Sequence, residues 1–172
     1  MTGKEAFDVL YLPGMELFAS LFKKASMEQI PSSAGKIILV VEDDENTRYV
    51  LWLILSDAER YYPMLVNDPY QAILVATQRR PDLFLIDYNL PHMNGIELYD
   101  RLHVLEGLEE VPAILLSAMR GEWQQELQDR HISGLEKPFA LNTLLELIER
   151  VLVNQEKSTT ADSDAKAPPI SA

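Results

Sequence analysis

Apolar residues in this chain gather into short runs, and four of the runs stop at a polar residue suited to chemistry. The runs span 37–41, 83–86, 113–116 and 132–135. Each is too brief for an ordinary helix and apolar almost throughout, the pattern of a parallel strand covered on both faces. Residues 64–66 predict one further, short strand. Helical periodicity fills the intervals. Residues 46–58 read as helix, although 49–55 is apolar on all sides and only its length and position decide against a strand. Asp68-Pro69 supplies an N-cap and a proline at the first helical position, opening a helix that runs to about Arg79. Leu98, Leu102 and Leu105 follow Gly95 at helical spacing and predict a helix ending near Gly107. Leu141, Leu144, Leu145, Ile148, Val151 and Leu152 form the clearest core stripe. Strand and helix thus alternate five times between about 36 and 154, which predicts an α/β domain with a parallel sheet and right-handed crossovers.

The fourth helix, over 119–131, differs from the rest. Only Met119, Trp123 and Leu127 make an apolar stripe, beside Gln124, Gln125, Glu126, Gln128 and Asp129. Such weak anchoring belongs either to a solvated helix or to an element that moves at modest energetic cost. The flanks are set apart by composition. Residues 1–35 form an extension interrupted by Pro13-Gly14, with an amphipathic segment of Met15, Phe18, Leu21, Phe22 and Ala25 ahead of a linker over 30–35. Met27 offers a second start of translation. Residues 155–172, rich in Ser, Thr, Ala, Asp and Pro, are expected to be a disordered tail.

Bulk properties narrow the function. The chain of 172 residues, 47% hydrophobic, suits one domain plus extensions. A formal charge of -12 and a pI near 4.6 argue against nucleic acid, whose sequence-independent affinity rests on Lys and Arg. Without cysteine there is neither a disulfide nor a thiolate metal site, in keeping with a reducing compartment. No apolar run approaches the roughly 20 residues of a membrane span, and the amino terminus does not read as a secretory signal. The expected location is cytoplasmic.

The chemistry lies at the ends of the runs: Glu42-Asp43-Asp44, Asp87, Ser117, and Lys137-Pro138-Phe139. In an open parallel sheet the carboxyl edge is where ligands bind, because helices cover both faces and leave the loops free. Carboxylates brought within about 5 Å repel by roughly 3 kcal/mol per pair at an effective dielectric near 20. Mg²⁺, with its preference for oxygen ligands, and the Lys137 ammonium are the natural compensation. So compensated, Asp87 can act as a nucleophile toward a phosphoryl group. Singly, each residue has a plainer reading: an acidic helix start, a strand-end turn former, a satisfied loop hydroxyl, a solvated lysine. Their order and strand context favour the joint site. His92, His103 and His131 show no metal-triad spacing and are expected at the surface.

From about Lys36 to Leu152 the chain resembles a two-component response-regulator receiver domain. The resemblance implies a flavodoxin-like, doubly wound five-stranded sheet in the order 2-1-3-4-5, the order found in chemotaxis receivers. It makes Asp87 the phosphoacceptor, Glu42 and Asp43 the acidic pair at the metal with Asp43 the more direct ligand, and Asn89 the residue whose backbone carbonyl completes the metal shell. Leu90-Pro91-His92-Met93-Asn94-Gly95 resembles the loop into the third helix, Ser117 the switch hydroxyl, and Lys137-Pro138 the lysine with its cis prolyl bond. A stand-alone receiver is implied, without a DNA-binding output domain and not an enzyme in its own right. It would take phosphate from a histidine kinase or phosphotransfer protein and switch its affinity for a partner through the fourth helix, fifth strand and fifth helix. A dimer is compatible with this reading.

Two departures bear on it. Gly134 stands three residues before Lys137, where the family usually carries Tyr or Phe that swings inward on activation. Glu42 replaces the more frequent aspartate. Two alternatives follow: a constitutive pseudo-receiver that only binds partners, favoured by Gly134, and an aspartate-nucleophile phosphatase. The phosphatase needs a general acid two positions after the nucleophile, where this chain has Asn89.

Overall fold

Five strands, β1 (Lys36–Val41), β2 (Tyr61–Val66), β3 (Leu83–Asp87), β4 (Ala113–Ser117) and β5 (Ser133–Glu136), form one parallel sheet in the order β2-β1-β3-β4-β5. Among the described residues, five helices alternate with them: α1 (Glu45–Asp57), α2 (Pro69–Gln78), α3 (Gly95–His103), α4 (Gln124–Asp129) and α5 (Leu141–Asp164). The computed structural model describes residues 35–118, 124–130 and 132–164. The chain divides into two units, Met1–Ala34 and Gly35–Ala172. The amphipathic segment at 15–25, Met119, Trp123, His131 and residues 165–172 lie outside the described residues. The sheet order is the one implied by the resemblance.

Strand alternation builds two cores. Leu39, Val41, Phe84, Ile86 and Leu115 point to one face and pack with Ala72 and Ala76 of α2, Leu98 and Leu102 of α3, and Leu127 of α4. Ile38, Val40, Leu83, Leu85, Ile114 and Leu116 point to the other and pack with Leu51 and Leu55 of α1 and Leu144, Ile148 and Leu152 of α5. A period of two on strands that are covered on both sides explains why their sequences read as continuous apolar runs. The ambiguous run at 49–55 is helical. Only Leu51 and Leu55, four residues apart, are fully buried there, while Tyr49, Val50 and Leu53 are exposed.

Several boundaries differ from the sequence reading, each for a physical reason. β2 begins at Tyr61 rather than Met64, and Pro63 pairs with Ile38 inside it. An edge strand tolerates proline because the missing N–H can face away from the sheet. α3 stops at His103, well before Gly107. Leu105 and Leu108 donate to Leu102 and Leu105 carbonyls, continuing the chain as tight turns that carry Leu108 into the core, and Gly107 takes φ +82°. His103 is half-buried rather than on the surface: its ring nitrogens lie 3.0 and 2.8 Å from the Tyr99 and Val111 carbonyl oxygens. In α5 the expected core residue Leu141 opens the helix and is 48% exposed, and Leu147 is buried in the stripe instead.

α5 also runs on to Asp164, past the boundary expected at Asn154. Propagating a nucleated helix costs little per residue, and this extension has tertiary anchors. Glu156 lies 3.1 Å from the Lys36 ammonium, and the Gln155 side-chain amide donates to the Glu110 carbonyl. No helix among the described residues is long and apolar enough to cross a membrane.

Candidate functional site

Parallel pairing places the ends of β1, β3 and β4 side by side, and the residues that follow them inherit that proximity. Val41 pairs with Ile86 and Asp87 with Leu116, so Glu42, Asp87 and Ser117 arrive at one edge. Lys137 joins them because its N–H donates to the Ser117 carbonyl at 2.8 Å, just beyond the Ser117–Glu136 pair of β4 and β5. The Lys137–Pro138 bond is cis.

Carboxylate oxygens of Glu42, Asp43 and Asp87 lie within 4.8 Å of one another. Glu42 is 1% exposed and Asp87 5%, whereas Asp43 is open to solvent. The Lys137 ammonium sits 2.7 Å from Glu42 Oε2 and 2.8 Å from Asp87 Oδ1. It is the amine of the site, not a solvated lysine. Burial, followed by the charge of Asp87, pushes the Glu42 carboxyl above its usual range, against the opposing bond from Lys137. Burial alone would lower the Lys137 ammonium, but its bonds to Asp87 and Glu42 outweigh that and hold it above the ordinary lysine value.

The loops are fixed by local chemistry. Asp44 is the N-cap of α1, its carboxylate accepting from the Thr47 N–H, which holds its pKa below the usual value. The acidic run is therefore both things the sequence allowed: Asp44 caps the helix while Glu42 and Asp43 face the site. Asn94 caps α3 in a capping box with Glu97, a signal legible as Asn-x-x-Glu that the sequence reading passed over. Gly95 is required by close approach. A Cβ there would lie 2.6 Å from the Asp87 carbonyl oxygen, and the Gly95 N–H donates to Tyr88. Asn89 is exposed in the β3–α3 loop, and Ser117 is fully buried at the end of β4.

One contributor was missed entirely. Arg48, in the first turn of α1, donates from Nη1 to the Glu42 carbonyl at 2.8 Å and the Asp43 carbonyl at 3.1 Å. A cation is poorly placed against the dipole at a helix amino end, and that mismatch was the available signal.

Chemically, three carboxylates within reach of one point offer the all-oxygen donor set that suits Mg²⁺, so the residues present fit that ion. A nucleophilic oxygen on Asp87, an ammonium beside it and a hydroxyl at the end of the neighbouring strand are equipment for phosphoryl transfer.

Residues 38–149 match the model of the response regulator receiver domain, and the chain belongs to that family. Among curated relatives it is similar to the phosphate regulon transcriptional regulatory protein PhoB of Pseudomonas aeruginosa, 34% identical over 142 residues. That match covers 78% of this chain and only 57% of PhoB. Among solved structures it is similar to the chemotaxis protein CheY4 of Vibrio cholerae, with a TM-score of 0.65 at 29% identity over 69% of this chain and 99% of that one. It is likewise similar to the receiver domain of the sensor histidine kinase PA1611 of Pseudomonas aeruginosa, with a TM-score of 0.60 at 29% identity over 69% of this chain and 98% of that one. In that structure a magnesium ion is coordinated in the active site cleft.

Proposed function

We propose that Asp87 accepts a phosphoryl group from a histidine kinase or a phosphotransfer protein. An Asp87 carboxylate oxygen attacks phosphorus, the P–N bond to the donor imidazole breaks, and an aspartyl phosphate forms. Asp43 and Asp87, with Glu42 and the Asn89 backbone carbonyl, would hold Mg²⁺, which neutralises phosphoryl oxygens when bound. Lys137 supplies the second positive charge from the chain itself. Ser117 supplies the hydroxyl that would contact the phosphoryl group. The chain acts as a signalling receiver rather than an enzyme with its own substrate, and its output is a change in affinity for a partner at the face of α4, β5 and α5.

The observation that carries this reading is the Lys137 ammonium bonded to both Glu42 and Asp87 at the edge of a three-carboxylate cluster. Gly134 favours one second reading, a constitutive partner-binding module, because β5 lacks the side chain that usually couples site and surface. Incubation with acetyl phosphate and Mg²⁺ separates the two. The receiver reading expects one base-labile phosphoryl adduct by intact-mass spectrometry, absent in Asp87→Asn and without Mg²⁺. An adduct that survives Asp87→Asn would reject the assignment of the acceptor. No adduct under any donor condition would leave the partner-binding module.

A further inference from the structure

We propose that Arg48 is a positioning residue, holding the backbone of the acidic pair in the arrangement a divalent cation needs; this rests on the cation reading of the carboxylate cluster. The β1–α1 loop is pinned at three successive residues. The Glu42 N–H donates to the Val66 carbonyl at 3.2 Å, and the Asp44 carboxylate accepts from Thr47 N at 2.7 Å. Between these anchors the carbonyls of Glu42 and Asp43 point to one guanidinium nitrogen, at 2.8 and 3.1 Å. Without Arg48, the peptide carrying Asp43 loses its link to α1.

The two cations of the site act differently. Lys137 bonds carboxylate oxygens of Glu42 and Asp87, two of the residues that would hold the ion. Arg48 bonds only main-chain carbonyls. It leaves the solvent-exposed Asp43 carboxylate, which no described residue bonds, to a ligand. Both bonds come from one nitrogen of a planar, permanently charged guanidinium, which reaches farther from the backbone than a lysine ammonium on its flexible stem, so lysine is not its equivalent.

Charge and positioning predict opposite signs. Removing a positive charge beside a cation site would by itself tighten cation binding. Removing the carbonyl bonds would loosen it, because Asp43 is then ordered only when the ion binds. The test uses the full chain and Mn²⁺ as the probe, with free Mn²⁺ followed by electron paramagnetic resonance for wild type, Arg48→Met and Arg48→Lys. Positioning expects Mn²⁺ dissociation constants raised about tenfold in both variants, with faster amide exchange at Asp43 and Asp44 and unchanged exchange in α5. The conservative variant keeps the charge and guards against loss of the fold. Binding in Arg48→Met as tight as wild type or tighter would overturn the proposal, as would exchange that rises equally along all of α1. Absence of saturable Mn²⁺ binding in wild type would instead remove the cation reading, and the proposal with it.

Discussion

Replacing Lys137 with methionine tests the electrostatic core of the site. The ammonium lies 2.7 Å from one carboxylate oxygen and 2.8 Å from another, on residues that are 1% and 5% exposed. At an effective dielectric near 20, each contact is worth about 6 kcal/mol of gross attraction, opposed by the cost of dehydrating three charges. Breaking one partner of a buried pair costs about 3–5 kcal/mol, and the 23% exposure of the lysine side chain argues for the lower end. The expected loss for Lys137→Met is therefore about 3 kcal/mol in metal-free buffer. With an m-value of about 1–3 kcal/mol/M, urea unfolding should shift down by at least about 1 M. Two companions sharpen the reading. Adding Glu42→Gln should recover a good part of the loss, since it removes one of the acids left unpaired. Mg²⁺ should stabilise Lys137→Met more than wild type, because in wild type the ammonium already offsets the charge of the acids that would hold the ion. A midpoint unchanged by Lys137→Met, or equal Mg²⁺ stabilisation of both proteins, would refute the claim that the lysine offsets crowded, buried acids.

Two further outcomes follow from the loops. Gly95→Ala places a Cβ 2.6 Å from the Asp87 carbonyl oxygen and 3.1 Å from Tyr88 Cα, both backbone atoms. It should cost about 1–3 kcal/mol in urea unfolding and lower the yield of the Asp87 adduct. Asp44 caps α1 with its pKa lowered from 3.8 chiefly by the Thr47 N–H. Its folded pKa lies below the unfolded one, so its contribution is complete above that unfolded value and is lost as pH falls through the folded one. In Asp44→Asn, where the cap accepts without titrating, the acid limb of a thermal-stability profile between about pH 5 and pH 2 should be shallower than in wild type.

What the sequence could reveal depended on whether a single element carried the signal. The central strands were legible because burial on both faces leaves a run such as Ile38, Leu39, Val40 and Val41 with no polar position. Asp68 and Pro69 announced α2, and the cap and first position fall there. The start of β2 was hidden because Tyr61, Tyr62 and Pro63 look like a turn unless the edge position is known. The extension of α5 was hidden for a different reason. It begins at Gln155 and Glu156, polar residues whose partners, Glu110 and Lys36, are distant in sequence. At the site, the stations themselves were legible from their place after each run. The double bond of Lys137 and the grip of Arg48 on two carbonyls were not, because both belong to tertiary geometry.

Gly134 gives the signalling route under the proposed reading a particular form. It pairs with Leu115 within the sheet and is exposed, so at that position β5 has no ring to exchange between buried and open states. Among the described residues, main-chain bonds link the site outward. Lys137 donates to the Ser117 carbonyl, Tyr88 to Leu116, and Gly95 to Tyr88. A shift of Lys137 toward an incoming phosphoryl group would therefore draw on the backbone of β4 and β5 directly. Among the described residues, the anchors of α4 include Leu127 in the core, the Arg130–Asp100 pair at 2.8 and 3.0 Å, and the Tyr99 hydroxyl donating to the Arg130 carbonyl. Among the described residues, these polar anchors fasten the carboxyl end of α4 to α3. Under the proposed reading, phosphorylation would then be reported through the main chain that joins β3, β4 and β5, with no need for the rotating aromatic that Gly134 replaces.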